Sequence, residues 1–248
     1  ITSGVVEIFS TNSAFAALKT DGSVVAWGDS ASGGAAPSGL SGVTKIFSTN
    51  TAFAALKTDG SVVTWGGGAH GHDGGSMSFP SANPTTGSGV VDIVGTTGAF
   101  AALKSDGSVW RWGSYYSGGG DNQGIPTVLQ SGVTKLISGP NSICAVKSDG
   151  SVIGWGQGGG LTKLPSQYLV AGSLSNYNTI FSTGQAFAAL MNDGSVKAWG
   201  AADYGGTDPG ISGVVDIVSS YYGFVALKSD GSVKVWGSTP TGATLGDP

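Results

Sequence analysis

IFSTNSAFAALKTDGSVVAWG, residues 8–28, returns as IFSTNTAFAALKTDGSVVTWG, residues 46–66, with two differences in 21 positions: Ser13 against Thr51 and Ala26 against Thr64. Self-similarity at a fixed period decides the fold before any local reading does. The same unit recurs, more diverged, around Phe100–Lys104, Ile143–Lys147, Phe187–Met191 and Phe224–Lys228, which makes six copies. Measured between the glycines of the Asp-Gly pairs (Gly22, Gly60, Gly107, Gly150, Gly194 and Gly231), the spacings are 38, 47, 43, 44 and 37 residues. These lie near the period of a four-stranded propeller blade. Seventeen residues follow Gly231 and 22 run from Ile1 to Gly22, so joining the ends gives an interval of 39. A chain of whole periods with no remainder predicts closure into a ring. An open solenoid instead carries atypical polar caps.

Each unit predicts three strands, placed in the first unit at Val5–Phe9, Ala14–Lys19 and Ser23–Trp27. Helix-length periodic runs are absent. Asp21-Gly22 is a strong hairpin signal, because a two-residue turn needs positive φ, which Gly accepts and Asp tolerates. All six copies keep Asp-Gly-Ser. Apolar, alanine-rich residues on both hairpin faces predict strands covered on both sides by neighbouring blades. A fourth strand is expected from the variable, Gly-rich stretch after each Trp-Gly. The prediction is therefore an all-β, closed six-bladed β-propeller, one domain over 1–248, of mostly four-stranded antiparallel blades. The repeat units run over 1–40, 41–87, 88–130, 131–173, 174–211 and 212–248. Six of the seven tryptophans stand before the Gly that ends strand three, the position of a packing anchor.

Composition narrows the function classes. Of 248 residues 45 are Gly and 26 charged, with 40% hydrophobic and a net charge of −4. So little charge on so apolar a chain argues against disorder. A single Arg leaves no clustered cations for a sequence-independent grip on nucleic acid. The longest apolar stretches fall far short of a membrane span. The lone Cys144 has no internal disulfide partner, and its alignment with Ala16 makes it core filler. The start at Ile1 rather than Met is consistent with a processed or excised segment.

The units Ser-Gly-Val-x-x-Ile, Ala-Phe-Ala-Ala-Leu-Lys-x-Asp-Gly-Ser-Val and Trp-Gly resemble the repeat of the regulator of chromosome condensation family over essentially the whole chain. In style they are similar to bacterial secreted members such as the propeller inhibitor of β-lactamases. The resemblance implies a β-propeller. Members are commonly seven-bladed, and the positions of Phe15, Phe53, Phe100 and Phe187 often carry His in the family. Function does not follow from the frame, since propeller activities reside in loops. The family's chromatin-bound exchange factor needs basic surfaces that this sequence lacks.

Sites are sparse. His70, His72 and Asp73 have metal-ligand character, yet a structural zinc site wants four ordered ligands, so this Gly-rich loop reads as solvated. Gly118–Asn122 and Asp203–Asp208 do not match an EF-hand. No nucleophile motif accompanies the histidines, so neither catalysis nor a cofactor is predicted. All seven tyrosines lie outside the Ala-Phe-Ala-Ala-Leu and Ser-Val-x-x-Trp strands. Because strands alternate in direction, loops after strands one and three share a face, which should carry Tyr115, Tyr116, Tyr204, Tyr221 and Tyr222. Tyr supplies broad amphipathic contact at small entropy cost. The position read as Glu7, Lys45, Asp92 and Lys135 alternates in sign, predicting paired charges between adjacent blades if strand one is innermost.

The resulting expectation is a non-catalytic interaction propeller of a secreted or surface protein, recognising a protein or glycan through this loop face. The alternatives are a structural subunit that self-associates into an extracellular array or filament, and a protein inhibitor of a secreted enzyme. Nucleic-acid partners and membrane insertion are not expected.

Overall fold

A computed structural model describes residues 3–67, 89–114, 117–118, 129–156, 169–171, 174 and 176–238. The described residues are all-β apart from short 3-10 turns. The chain divides into two compact units, Ile1–Leu136 and Ile137–Pro248, with the division inside one strand. The first unit holds sheet one (β1 Val5–Ser10, β2 Ala14–Lys19, β3 Val24–Gly28), sheet two (β4 Val43–Ser48, β5 Ala52–Lys57, β6 Val62–Gly66) and sheet three (β7 Val90–Gly95, β8 Ala99–Lys104, β9 Val109–Gly113). Sheet four is formed by β10 Val133–Ser138, β11 Ser142–Lys147, β12 Val152–Gly156 and β13 Leu169–Ala171. Sheet five (β14 Tyr177–Ser182, β15 Ala186–Met191, β16 Val196–Gly200) and sheet six (β17 Val214–Ser219, β18 Gly223–Lys228, β19 Val233–Gly237) complete the second unit.

Among the described residues only sheet four has a fourth strand, which corrects the expectation of mostly four-stranded blades. The linkers after sheets one and five show why. Each turns at once through a 3-10 turn, Ser30–Ser32 or Ala202–Tyr204, and then meets Pro37 and Gly39 or Pro209 and Gly210. Pro cannot donate to a ladder, and both glycines sit at positive φ, +73° and +61°, off the strand path. Leu40 packs into the adjoining core instead of pairing in a ladder.

The hairpin also departs from the two-residue expectation. Gly22 N–H donates to Lys19 O at 2.9 Å and Lys19 N–H to Ser23 O at 3.0 Å, so Thr20 and Asp21 occupy the bend and Gly22 (φ +75°) the left-handed position after it. This is the three-residue loop with a glycine bulge. Asp21 needs no positive φ; its Oδ1 accepts the Ser23 N–H (2.9 Å) and hydroxyl (2.6 Å). The same pair of bonds closes the turns at Asp59, Asp106, Asp149, Asp193 and Asp230. The Ser hydroxyl above all, then the backbone N–H, holds each carboxyl below its ordinary value. Gly22 also lets the next unit come close: Val43 N–H donates to Gly22 O, and a Cβ there would meet Gly42 N at 3.2 Å.

Within each unit, neighbouring sheets bury opposite faces against each other. Ala14, Ala16 and Leu18 of sheet one pack on Ile46, Phe53 and Trp65 of sheet two. Sheet two covers Ile93, Phe100 and Trp112 of sheet three in the same way. In the second unit Cys144, Val146 and Val152 lie against Phe187 and Trp199, and sheet five covers Phe224 of sheet six. Phe and Trp pair across strands two and three, as in Phe53–Trp65 with centroids 5.2 Å apart. Cys144 is fully buried in this core, and desolvation pushes its thiol pKa well above the ordinary value, as befits filler rather than a nucleophile. Glu7, Lys45 and Asp92 form no ion pair within 4 Å of one another; Lys45 lies over the Phe47 ring, 4.7 Å from its centroid. The alternating charges therefore do not pair as expected.

Candidate functional site

The loops after strands one and three meet through one repeated side chain. Thr11 Oγ1 accepts the Ala14 N–H at 3.0 Å and donates to Ser32 O at 3.0 Å. Thr96 does the same with Ala99 and Ser117, and Thr183 with Ala186 and Tyr204. Each threonine thus ties the turn before strand two to the turn after strand three, so both loops emerge at the same end of their sheet. Backbone bonds then link consecutive loops. In the first unit Asn12 N–H reaches Asn50 O (2.8 Å) and Asn50 N–H reaches Thr97 O (2.9 Å). In the second, Gly184 N–H reaches Tyr221 O (2.8 Å). The repeat places Pro140, which has no N–H, before Gly184 in this series, and the next residue takes over: Asn141 N–H donates to Gly184 O at 3.2 Å.

On this frame the second unit carries an aromatic cluster. The rings of Tyr204, Tyr221 and Tyr222 lie with centroids 6.0, 5.4 and 4.8 Å apart, two of the three pairs edge-on. Such offset geometries suit aromatic quadrupoles. Asn141 Nδ2 donates to Tyr221 Oη at 2.6 Å, adding an amide to the rim. Tyr221 and Tyr222 are 41% and 43% exposed, whereas Tyr204 forms the half-buried floor. Desolvation, followed by the two neighbouring phenols, raises the Tyr204 pKa and keeps its hydroxyl protonated.

The backbone beneath is fixed. Thr183 holds the Tyr204 carbonyl, and Gly205 (φ +90°) follows so close to the Phe224 ring that a Cβ would lie 2.7 Å from it. Gly205 O accepts Trp236 Nε1–H at 3.1 Å. Gly184 leaves the space the rings use, since a Cβ there would meet Tyr204 and Tyr221 ring carbons at 3.1 Å. The platform is therefore preorganised, and ordering it for a ligand costs little entropy.

Three of the five expected tyrosines, Tyr204, Tyr221 and Tyr222, come together. Tyr115 and Tyr116 lie outside the described residues, as do His70, His72 and Asp73. Among the described residues no group of three or more His, Cys, Asp or Glu could hold a metal. Asp208 accepts Gly210 N–H at 2.9 Å and lies 3.6 Å from Lys197 Nζ, so it serves its own turn. Sequence reasoning missed Asn141 and the threonine tie. It also missed the motif that sets Tyr204 in place: a Gly-Gly pair six residues after Trp, found as Gly33-Gly34, Gly118-Gly119 and Gly205-Gly206. That spacing was the available signal, hidden by the general glycine richness of these loops.

No protein-family model and no curated protein sequence matches the chain. Solved structures do. The chain is similar to yeast RCC1 (Prp20) bound to Kap60, with a TM-score of 0.58 at 16% identity, covering 94% of this chain and 70% of that one. Human WBSCR16 gives 0.54 at 16% identity, over 96% and 77% of the two chains. The ectodomain of the Physcomitrella patens receptor kinase CR4 gives 0.53 at 17%, over 96% and 64%. With six repeat sheets, each holding the same turn between its second and third strands and the same Trp-Gly ending, and with these likenesses, the chain has the β-propeller fold of the RCC1 type.

Proposed function

We propose that this chain is a non-catalytic interaction module of a secreted or surface protein, which binds a protein partner through the Tyr204, Tyr221 and Tyr222 cluster. The observation that carries the reading is the cluster itself: two exposed phenol rings over a third, with the Asn141 amide hydrogen-bonded at the edge, on a fixed backbone. Exposed large aromatics with adjacent hydrogen-bonding groups are the composition of protein-binding surfaces. A protein partner is also supported by Prp20, a structural neighbour solved bound to Kap60 and described with binding properties to Gsp1p and histones. The resemblance to bacterial secreted propellers supports the extracellular placement.

A displayed random-peptide library and a glycan array, each probed with the wild-type chain and with a Tyr204→Ala, Tyr221→Ala, Tyr222→Ala triple variant, test the reading. Peptides retained by the wild type and lost by the folded triple variant are expected. Ligands retained equally by both, or glycans alone, would overturn it.

A further inference from the structure

The cluster of Tyr204, Tyr221 and Tyr222 has a hydrogen-bonding polarity as well as a shape. The backbone carbonyls of all three are used inside the second unit: Tyr204 O accepts Thr183 Oγ1–H at 3.0 Å, Tyr221 O accepts Gly184 N–H at 2.8 Å and Tyr222 O accepts Ser238 N–H at 3.1 Å. Tyr221 Oη accepts the Asn141 amide at 2.6 Å, which turns its own proton away from Asn141. Among the described residues, no acceptor takes the hydroxyl proton of any of the three tyrosines. Phenols keep that proton at neutral pH. Beside its rings the cluster therefore offers a group of O–H donors, with its carbonyls already occupied.

The ring geometry narrows the ligand further. Centroids 4.8, 5.4 and 6.0 Å apart put the rings in direct contact, so no gap between ring faces receives a cation as an ammonium cage would. Asp203 places the field of a carboxylate on Tyr204, which disfavours an acidic ligand. A matching ligand is apolar, supplies carbonyl acceptors, asks for no acceptor in return and carries no negative charge.

Proline meets each condition. It has no N–H, and its carbonyl is an acceptor. A polyproline II segment makes no internal hydrogen bonds, so every carbonyl stays open. Its rings dock on aromatic side chains, and its preset backbone loses little entropy in doing so. A sugar or an ordinary peptide would bring O–H or N–H donors that find the cluster's carbonyls already taken.

We infer that the cluster docks a proline-rich segment of the partner in the polyproline II conformation, with prolines on the Tyr221 and Tyr222 rings and carbonyls on the phenol protons. The inference rests on the proposed function and names the class of peptide that the site takes.

Calorimetric titration of the full chain with end-blocked decaproline, and with a Gly-Ser peptide of the same length, tests it alongside the proline content of the library peptides that need the cluster. Decaproline is expected to bind saturably and the Gly-Ser peptide not to bind. Tyr221→Phe keeps the ring and removes the proton donor, so it should weaken decaproline about fivefold with little change in melting temperature. Library peptides lost by the triple variant should be enriched in proline. If those peptides lack proline, or decaproline fails to bind, the inference falls and the proposed function stands. If no library peptide depends on the cluster, both fall. Decaproline binding left unchanged by Tyr221→Phe also overturns the inference, as does cellohexaose binding to the cluster where decaproline does not.

Discussion

The loop after Trp27 and the loop after Trp199 are the same object in backbone and opposites in surface. Both make a 3-10 turn, both end in a left-handed glycine (Gly33 at φ +96°, Gly205 at +90°), and both are tied by a threonine at 3.0 Å, Thr11 to Ser32 and Thr183 to Tyr204. Yet the first unit shows Ser32, Asn12 and Asn50 where the second shows Tyr204, Gly184 and Tyr221. The frame is held by glycines, threonines and buried Phe-Trp pairs, none of which constrains the side chain presented to a partner. Recognition is free to differ on a scaffold that does not.

The strongest way to break that comparison is to attack the frame on both sides. Gly33→Ala and Gly205→Ala each place a Cβ within 2.6–2.7 Å of a Phe ring at positive φ. Overpacking plus the conformational penalty predicts a loss of about 2–4 kcal/mol from each in denaturant unfolding. Unequal losses would show that the two loops are not equivalent frames.

Thr11→Val and Thr183→Val come next. Each leaves a strand-two N–H, Ala14 or Ala186, without its side-chain acceptor, at a cost of about 1–2 kcal/mol. Only Thr183→Val should also weaken ligand binding, because only there does the threonine fix a tyrosine of the cluster. Calorimetric melts paired with binding isotherms separate the two effects.

The repeat made the frame legible because packing demands the same residues each time: Asp-Gly-Ser for the turn, Ala-Phe-Ala-Ala-Leu for the buried strand, Trp-Gly for the end. The lack of a fourth strand in sheets one and five was not legible because Pro37 and Pro209 act locally, against the general period of a four-stranded blade. The turn was misassigned by one residue, since Asp-Gly fits both a two-residue loop and a glycine bulge. Grouping Tyr204, Tyr221 and Tyr222 was possible from strand direction alone. Asn141 was not, because its place follows from Pro140 interrupting a backbone series that no sequence pattern displays.

The smallest expected effect is acid sensitivity shared by both units. The six turn aspartates have pKa values lowered from 3.8, so the folded chain binds fewer protons than the unfolded one in that range. Their contribution is present above 3.8 and is lost as pH falls through the lowered folded values. Melting temperature should therefore drop below pH 4, and Asp59→Asn and Asp193→Asn should each reduce the slope by a similar amount. A slope altered by only one of them would separate the two units.

The most direct measurement is the dissociation constant of a selected peptide ligand for three chains: wild type, Tyr221→Ala, and Asn50→Ala in the corresponding loop series of the first unit. Binding through the aromatic cluster predicts that Tyr221→Ala weakens affinity about tenfold or more, a loss of roughly 1.4 kcal/mol or greater, while Asn50→Ala stays within about twofold of wild type. Equal weakening by both, or none from Tyr221→Ala, would contradict it.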